Sequence, residues 1–260
     1  MPSITVSSTR LFYQEQGQGT PLVMLHGLGG SSNDWLFSCQ YLQKDYRCIL
    51  LDLPGFGQSA NTPNYSIHDM AILTVAALQQ LGIDECNLVG FSLGGAVALD
   101  ICAHKDKHCL TINKLVIINS QPSYQLNHYK LKIEYYFRVA LMKMCGLSAL
   151  SHMIAKRLFP LEKDHALRQY VENGLKENTT NAYLSAMKAL VSWSIKDKLH
   201  NITQVTMIIA SDNDYPSLDS KGYVAQLPNA SLTMIPSCGH AIPIEKPEVL
   251  ATTLHTFLER

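Results

Sequence analysis

The sequence predicts one α/β domain, in which helices cover both faces of a mostly parallel sheet and an all-helical block interrupts the strand–helix alternation. The chain has 260 residues, of which 47% are hydrophobic and 16% are charged. That composition is sufficient for a large buried core. Short apolar strand patterns alternate with helical patterns along most of the chain, as is typical of parallel sheets. The alternation stops for about eighty residues in the middle of the chain and then resumes.

The first 120 residues carry most of the strand patterns. Predicted strands lie at residues 4–7, 11–16, 21–25, 47–51, 86–90 and 114–119, and predicted helices lie at residues 66–81 and 93–103. The first of these helices has clear end signals, because Ser66 suits the N-cap, Asp69 completes a capping box and Gly82 ends the helix.

The middle of the chain has helical patterns and no convincing strand. Predicted helices occupy residues 129–145, 148–158, 162–176 and 181–191. The alternation resumes with a strand at 205–211, a helix near 217–226, a strand at 231–235 and a helix at 247–259. We therefore divide the chain into an α/β core of residues 1–120 and 201–260 and a helical cap of residues 121–200. Ligands bind beyond the carboxyl ends of the strands in open α/β sheets, so we expect the cap to cover the site.

The overall charge balance excludes some partners. Lys and Arg number 21, as do Asp and Glu. Zero net charge argues against a general nucleic-acid or anionic-membrane binder. The predicted cap is nevertheless basic, since residues 121–200 carry twelve Lys and Arg against six Asp and Glu. A solvated helical surface explains this excess, and a docking surface for an acidic partner is the alternative.

Compartment signals point to the cytoplasm. The sequence begins without a basic segment followed by an apolar run, so we expect no signal peptide. It contains no apolar stretch of the length that a transmembrane helix needs. Its seven cysteines are an odd number without CxxC pairing. They fit reduced thiols better than a disulfide framework or a zinc site.

The strongest chemical signal is Gly-Phe-Ser-Leu-Gly-Gly at residues 90–95, between a predicted strand and a predicted helix. This G-x-S-x-G context is typical of a nucleophile on a sharp strand-to-helix turn. Glycines two residues on either side leave room for close packing of the chain. The hydroxyl of Ser92 would then lie at a helix N-terminus, where free N–H groups stabilise an oxyanion. The alternative is an ordinary glycine-rich β/α connection.

A second glycine-rich loop, His-Gly-Leu-Gly-Gly at residues 26–30, follows a predicted strand. The N–H of Leu28 in this loop and the N–H of Leu93 after the serine would form an oxyanion hole. A phosphate cradle is disfavoured because no Lys-Ser or Lys-Thr pair follows. We expect His26 to hold the loop by hydrogen bonds rather than to act as a base.

A base and an acid are expected later in the chain. His240 lies in a loop between the predicted strand at 231–235 and the last helix, whereas His200 and His255 lie in helical stretches and suit the surface. The loop after the strand at 205–211 offers two carboxylates, Asp212 and Asp214. Either could orient the imidazole. An acid after the strand at 114–119 is excluded, because that position reads Asn-Ser.

With these segments together, the chain resembles the α/β-hydrolase-fold serine hydrolases. Residues 51–59, Leu-Asp-Leu-Pro-Gly-Phe-Gly-Gln-Ser, are similar to the family's D-x-P-G-x-G-x-S loop. Residues 239–248 are similar to its closing G-H-x-x-x-x-E-x-P-E pattern. The resemblance spans roughly residues 10–120 and 200–260. Serine at the nucleophile position disfavours relatives with an aspartate nucleophile, the haloalkane dehalogenases and epoxide hydrolases.

The resemblance implies a role for each candidate. Ser92 would be the nucleophile, His240 the base and Asp214, favoured over Asp212 by the family pattern, the orienter. The N–H groups of Leu28 and Leu93 would hold the oxyanion. The implied reaction is two-step acyl transfer, which requires no metal and no organic cofactor.

The implied function is hydrolysis of a carboxylic ester with a small or medium acyl group, with Phe137 and Leu141 as cap residues that would contact it. A lactonase or a C–C bond hydrolase on the same triad is an alternative. A pimeloyl-carrier-protein methyl ester esterase is another, and its acidic carrier would dock on Lys130, Lys132, Arg138, Lys156 and Arg157. A non-catalytic ligand-binding protein with this fold is the third alternative.

Overall fold

The computed structural model describes residues 2–60, 64–214 and 218–260. One eight-stranded sheet has the order β1-β2-β4-β3-β5-β6-β7-β8. Its strands are β1 Ser3–Val6, β2 Thr9–Gln16, β3 Thr20–Leu25, β4 Tyr46–Leu51, β5 Glu85–Phe91, β6 Thr111–Ile118, β7 Val205–Ser211 and β8 Ala230–Ile235. Strand β2 pairs antiparallel with both β1 and β4, and the remaining neighbours are parallel. The predicted mostly parallel sheet is confirmed.

Helices cover both faces of this sheet. They are α1 Leu36–Leu42, α2 Ile67–Gln80, α3 Leu93–Ala103, α4 Tyr129–Leu158, α5 His165–Lys176, α6 Thr180–Ser192, α7 Ile242–Glu245 and α8 Pro247–Leu258. Apolar side chains of α2 and α3 pack on one face of the sheet, and those of α1 and α8 pack on the other. Burial on both faces explains why the central strands are continuous apolar runs rather than alternating ones.

Helix α2 shows how local sequence determines its ends. The Ser66 hydroxyl accepts the Asp69 N–H at 3.0 Å, and the Asp69 carboxylate accepts the Ser66 N–H at 2.9 Å. Gly82 has φ +71°, a backbone conformation that ends the helix and that glycine adopts readily. The predicted capping box and helix end are confirmed.

Helices α4, α5 and α6 form a helical insert, residues 129–192, between the adjacent strands β6 and β7. Helix α4 is kinked at Gly146, where φ is 74° and ψ is 176°, so it matches the two predicted helices at 129–145 and 148–158. The chain enters and leaves the insert at one place, since Ser123 and Ser194 form an antiparallel bridge. The division into core residues 1–120 and 201–260 and cap residues 121–200 stays a prediction.

Three helices differ from the sequence prediction. Helices α1 and α7 were not predicted, because with seven and four residues they are too short to show a clear helical period. The helix predicted near 217–226 is a 3₁₀ helix, Leu218–Gln226, and residue 217 lies outside the described residues. A search of the described ranges finds no helix with the length and apolar character needed to cross a membrane.

Candidate active site

Ser92 lies on the turn between β5 and α3 in a strained conformation, with φ 51° and ψ −110°. Close packing of the chain enforces that turn. A Cβ on Gly90 would lie 2.4 Å from the Gly94 carbonyl oxygen, and a Cβ on Gly94 would lie 2.2 Å from the Leu25 carbonyl oxygen. Neither position can therefore carry a side chain, which explains why the G-x-S-x-G pattern has glycine at both positions.

The structure brings Ser92, His240 and Asp214 together. His240 Nε2 lies 3.1 Å from Ser92 Oγ, and His240 Nδ1 lies 2.7 Å from Asp214 Oδ1. This arrangement fits the tautomer in which Nδ1–H donates to the carboxylate and Nε2 accepts from the hydroxyl. The imidazole and the carboxylate are both buried, with 7% and 2% of their side chains exposed.

Asp212 has a different position and different partners. Its carboxylate accepts the N–H groups of Ser237 at 2.8 Å and Cys238 at 3.1 Å. These backbone hydrogen bonds lower the pKa of Asp212, because they favour the ionised form. Asp212 thus anchors the loop that carries His240, and Asp214 is the carboxylate that reaches the imidazole.

Further contacts hold His240 in place. The Gly239 N–H donates to the Glu245 carboxylate at 2.8 Å, which is the contact behind the G-H-x-x-x-x-E spacing. The Asn119 side-chain amide donates to the His240 carbonyl oxygen at 2.8 Å and to Ser211 Oγ at 2.9 Å. Residue 119, directly after β6, is an asparagine where an acid could have been expected. Its side-chain amide ties β6 and β7 to the loop that carries His240.

His26 fixes the glycine-rich loop after β3. Its Nδ1–H donates to the Gly27 carbonyl oxygen at 2.8 Å, and its Nε2 accepts the Leu53 N–H at 2.9 Å. Complete burial lowers the pKa of His26, so the ring stays neutral and serves both contacts. The expectation that His26 holds the loop by hydrogen bonds is confirmed.

The two predicted oxyanion donors lie beside Ser92. Leu28 lines the same cavity as Ser92, and Leu93 is the first residue of α3. The Gly94 N–H donates to the His26 carbonyl oxygen at 3.0 Å and so ties the β3 loop to the start of α3. Within the described part of the chain, neither Leu28 N–H nor Leu93 N–H has a hydrogen-bond acceptor. Both are therefore available to a ligand atom.

Lys221 also contacts the candidate triad, and the sequence does not predict it. Its ammonium is buried, lies 3.5 Å from Asp214 Oδ2 and donates to the Ser120 carbonyl oxygen at 3.4 Å. Burial lowers the pKa of Lys221, and the neighbouring carboxylate partly opposes that shift. Asp214 is therefore shared between an imidazole and an ammonium. A lysine in the helix predicted near 217–226 gave no sequence signal for this contact, since lysines are mostly exposed.

Ser92 and His240 open into a cavity of about 270 Å³ between the sheet and the insert. Its insert wall includes Arg138, Ile154, Arg157, Leu158, Tyr170 and Val171.

The two predicted cap residues do not line this cavity. Phe137 is 55% exposed on the outer side of α4, and Leu141 is partly buried against the core cluster that the sheet, α2, α3 and the insert share. Arg138, the next residue after Phe137, is the one that faces the cavity, because consecutive residues point about 100° apart on a helix. The choice of Phe137 and Leu141 is thereby corrected.

The cavity wall is charged. Arg138 and Arg157 both bind the Glu134 carboxylate, the former at 2.6 Å. Although burial opposes it, these two guanidinium groups lower the pKa of Glu134. Glu177 of the insert also lines the cavity, so this wall carries charges of both signs. On the opposite wall, burial raises the pKa of Asp34 to about 7.

One group of side chains could hold a metal ion away from this cavity. His68, Asp100 and His104 offer ligand atoms within 4.8 Å of one another, and the search of the described ranges finds no second group. Asp100 already accepts hydrogen bonds from His68 Nδ1 at 2.7 Å and from Trp193 Nε1 at 2.8 Å. These contacts satisfy a buried carboxylate and link α2, α3 and the end of the insert.

A parallel sheet, a serine on a strained strand-to-helix turn and a helical insert above it together define a hydrolase of the α/β class. The chain belongs to the alpha/beta hydrolase fold family, whose model matches residues 20–247.

Comparison with known proteins gives relatives over nearly the whole chain. It is 30% identical over 258 residues to a protein named putative carbamate hydrolase RutD from Stutzerimonas stutzeri, and the alignment covers 92% of each chain. It is 27% identical over 260 residues to a pimeloyl-[acyl-carrier protein] methyl ester esterase from Vibrio vulnificus, and the alignment covers 96% of this chain and 98% of the relative.

Solved structures share the fold. An enol-lactonase from Burkholderia xenovorans LB400 superimposes with a TM-score of 0.90 at 18% identity over 100% of both chains. A thermophilic esterase from Thermogutta terrifontis superimposes with a TM-score of 0.87 at 20% identity, covering 99% of this chain and 97% of that chain. At these identities the likeness shows the fold alone.

Proposed function

We propose that this hydrolase cleaves a carboxylic ester through a Ser92–His240–Asp214 triad. The observation that carries the proposal is the continuous hydrogen-bonded chain from Ser92 Oγ through His240 to Asp214, at the base of a cavity. Nucleophile, base and orienter lie within the distances that acyl transfer requires.

The proposed reaction has two steps. Ser92 Oγ attacks the ester carbonyl carbon while His240 Nε2 accepts the hydroxyl proton, and Asp214 stabilises the imidazolium that forms. The N–H groups of Leu28 and Leu93 stabilise the oxyanion. The imidazolium then protonates the leaving alcohol, and a water molecule deprotonated by the same imidazole hydrolyses the acyl-enzyme.

The cavity supports a small or medium substrate. Its volume of about 270 Å³ lies just below the range of roughly 300–1,000 Å³ that is common for drug-sized ligands. Ile154, Leu158 and Val171 provide an apolar wall suited to an acyl group.

Labelling of the serine tests the proposal. We expect a fluorophosphonate probe to modify the wild-type protein and to leave Ser92→Ala unmodified. Ser31→Ala is the matched control, because Ser31 lines the same cavity but caps the 3₁₀ helix Ser32–Trp35, and it should label like wild type. A wild-type protein without labelling at neutral pH would favour a non-catalytic ligand-binding role.

A substrate panel separates ester cleavage from its alternatives. The relatives include proteins named as a carbamate hydrolase and as an enol-lactonase, and the same triad could serve both reactions and C–C bond hydrolysis. We expect p-nitrophenyl esters to be turned over faster than a carbamate, an enol-lactone or a vinylogous diketone. Preference for any of the other three would reassign the reaction and leave the triad in place.

An ester on an acyl-carrier protein is the second candidate substrate. Residues 121–200 carry twelve Lys and Arg against six Asp and Glu, and exposed Lys130, Lys132 and Lys156 among them favour an acidic partner. One relative is named a pimeloyl-[acyl-carrier protein] methyl ester esterase. For this candidate we expect turnover of a carrier-bound methyl ester to fall steeply as salt is added, whereas turnover of a free methyl ester should not.

A further inference from the structure

The outer side of the first half of α4 carries large apolar side chains that face solvent. We define them as the α4 stripe: Tyr129 (69% exposed), Ile133 (64%), Tyr136 (65%), Phe137 (55%) and Met144 (83%). A contiguous group of such residues on a protein surface usually marks an interaction site, unlike apolar residues scattered singly.

The stripe follows one face of the helix. At about 100° per residue, its five positions fall within an arc of about 100°. On the inner side of the helix, Arg138 faces the cavity and Met142 is buried in the core. Helix α4 therefore carries apolar side chains on both sides, and those of the outer side face solvent.

Lysines border the stripe on both sides. Lys130 lies at one edge of the arc, and Lys132 and Lys143 lie at the other; all three are exposed. The one acidic residue of this half of the helix, Glu134, lies one turn from Lys130 and binds Arg138 and Arg157. The three lysines around the stripe thus face a single carboxylate that two arginines already bind.

We propose that the α4 stripe docks this protein on an anionic lipid surface. An exposed apolar face with lysines at its borders and tyrosines within it has the chemistry of a helix that lies in a membrane interface. A second copy of the chain fits less well, because stripe-to-stripe packing would bring two rows of lysines together. An acidic protein would account for the lysines but not for the five exposed apolar side chains between them.

This proposal departs from the expectation that zero net charge argues against an anionic-membrane binder. Charge acts locally, since it is screened beyond about 10 Å in ordinary buffers. The inner face of α4 lines the cavity. Docking through its outer face would place the cavity about one helix diameter, roughly 10 Å, from the lipid surface.

Sedimentation with lipid vesicles tests the proposal on the full chain. We expect wild-type protein to bind phosphatidylcholine vesicles that contain phosphatidylglycerol and to bind pure phosphatidylcholine vesicles far less. Ile133→Ser combined with Tyr136→Ser should abolish binding. The matched control is Ile72→Ser combined with Val249→Ser, which removes similarly exposed apolar side chains from α2 and α8 and should bind like wild type.

The lysines provide a second set of variants. Replacing Lys130, Lys132 or Lys143 by Gln should weaken binding to the anionic vesicles about fivefold for each lysine. Binding should also weaken as salt is added. Thermal unfolding of each variant shows that its fold is intact.

A fluorescence reporter shows whether the stripe itself enters the lipid. Trp35 and Trp193 are both buried, so Phe137→Trp would add the one exposed indole. Its emission should shift to shorter wavelength with anionic vesicles and stay unchanged without them. Absence of vesicle binding would overturn the proposal, as would binding that survives the stripe variants. Stripe-dependent dimers on gel filtration, or stripe-dependent binding of an acidic carrier protein without vesicle binding, would assign the stripe to that other partner.

Discussion

The Asp214 carboxylate contacts both His240 and Lys221. Its Oδ1 accepts a hydrogen bond from His240 Nδ1–H, and its Oδ2 lies 3.5 Å from the Lys221 ammonium. In the proposed mechanism its negative charge stabilises the imidazolium that forms during attack. A buried cation beside it offsets part of that charge. Lys221 should therefore weaken the stabilisation that Asp214 gives to that imidazolium.

Lys221→Met removes the cation and keeps most of the side-chain volume. We expect the acid limb of the kcat/KM profile for a p-nitrophenyl ester to move to higher pH, because Asp214 then stabilises the imidazolium without opposition. Lys221→Arg should restore the wild-type position. Other charged groups around the cavity and the histidine loop are unchanged in both variants; they include Asp34, Arg138, Arg157, Glu177, Asp212 and Glu245.

Lys114→Met is the control for that experiment. Lys114 donates to the carbonyl oxygens at the end of α8, far along the sheet from the triad, and its loss should leave the pH profile unmoved. A Lys221→Met profile that coincides with wild type would show that the lysine has no electrostatic effect on His240.

Asp34 should make stability depend on pH near neutrality. Its pKa is raised to about 7 in the folded protein, whereas it is near 4 in an unfolded chain. The folded state then binds more protons between these values, so this residue's contribution to stability falls as pH rises from about 4 to 7. We expect Asp34→Asn to gain stability relative to wild type as pH rises, measured by urea unfolding from acid to neutral pH.

Asp212→Asn provides the opposite case. The pKa of Asp212 is lowered, so its contribution is lost only as pH falls below the usual aspartate range. The stability difference from wild type should therefore be constant between pH 5 and 8. An Asp34→Asn difference that is equally constant would contradict the raised pKa of Asp34.

Sequence and structure agree best where the determinants are local. Ser92 could be placed because Gly90 and Gly94 mark a turn that no other residues permit. Lys221 could not, because its contact with Asp214 depends on how a 3₁₀ segment folds back over β7. Phe137 was misplaced because packing sets the rotation of α4 about its axis, and α4 has apolar side chains on both sides, so the sequence pattern alone does not tell which side faces inward.

At the scale of elements, α4 depends on one glycine. Gly146 combines φ 74° with ψ 176°, a conformation nearly exclusive to glycine, and its position splits the helix into the stripe-bearing half and the second half. A side chain at residue 146 would not cause a steric clash, because no atom lies within 4 Å of where its Cβ would be.

Gly146→Ala should lower the free energy of unfolding by about 1–3 kcal/mol through backbone strain alone. The matched change is Gly174→Ala, inside α5, where a Cβ also meets no atom within 4 Å and the backbone is helical. That variant should gain up to about 1 kcal/mol from its better helix propensity. Denaturant unfolding measures the free energy of unfolding of both variants. If both variants gained or both lost stability, backbone strain at Gly146 would not be what distinguishes the two positions.

At the scale of the whole molecule, stability does not depend on disulfides. All seven cysteines are free thiols; five are buried, and Cys109 and Cys145 are exposed. Burial raises the pKa of the Cys86 thiol to about 12, which suppresses its reactive thiolate.

We expect a thiol reagent such as DTNB to modify two cysteines in the native protein and all seven after unfolding. The double variant Cys109→Ser with Cys145→Ser should leave the native protein unreactive. Added reductant should not change the melting temperature. A melting temperature that falls with reductant would indicate a disulfide that the fold does not contain.

The bridge between Ser123 and Ser194 has a consequence for how such a protein can change over generations. Entry and exit of the insert are closed by that bridge and by the Ile195 N–H bond to the Pro122 carbonyl oxygen at 2.9 Å. A segment anchored at adjacent points can be lengthened, shortened or exchanged at small entropic cost to the sheet beneath it. New substrate preferences and new docking sites can therefore arise by replacement of the helical insert alone, while the reactive groups below it stay unchanged.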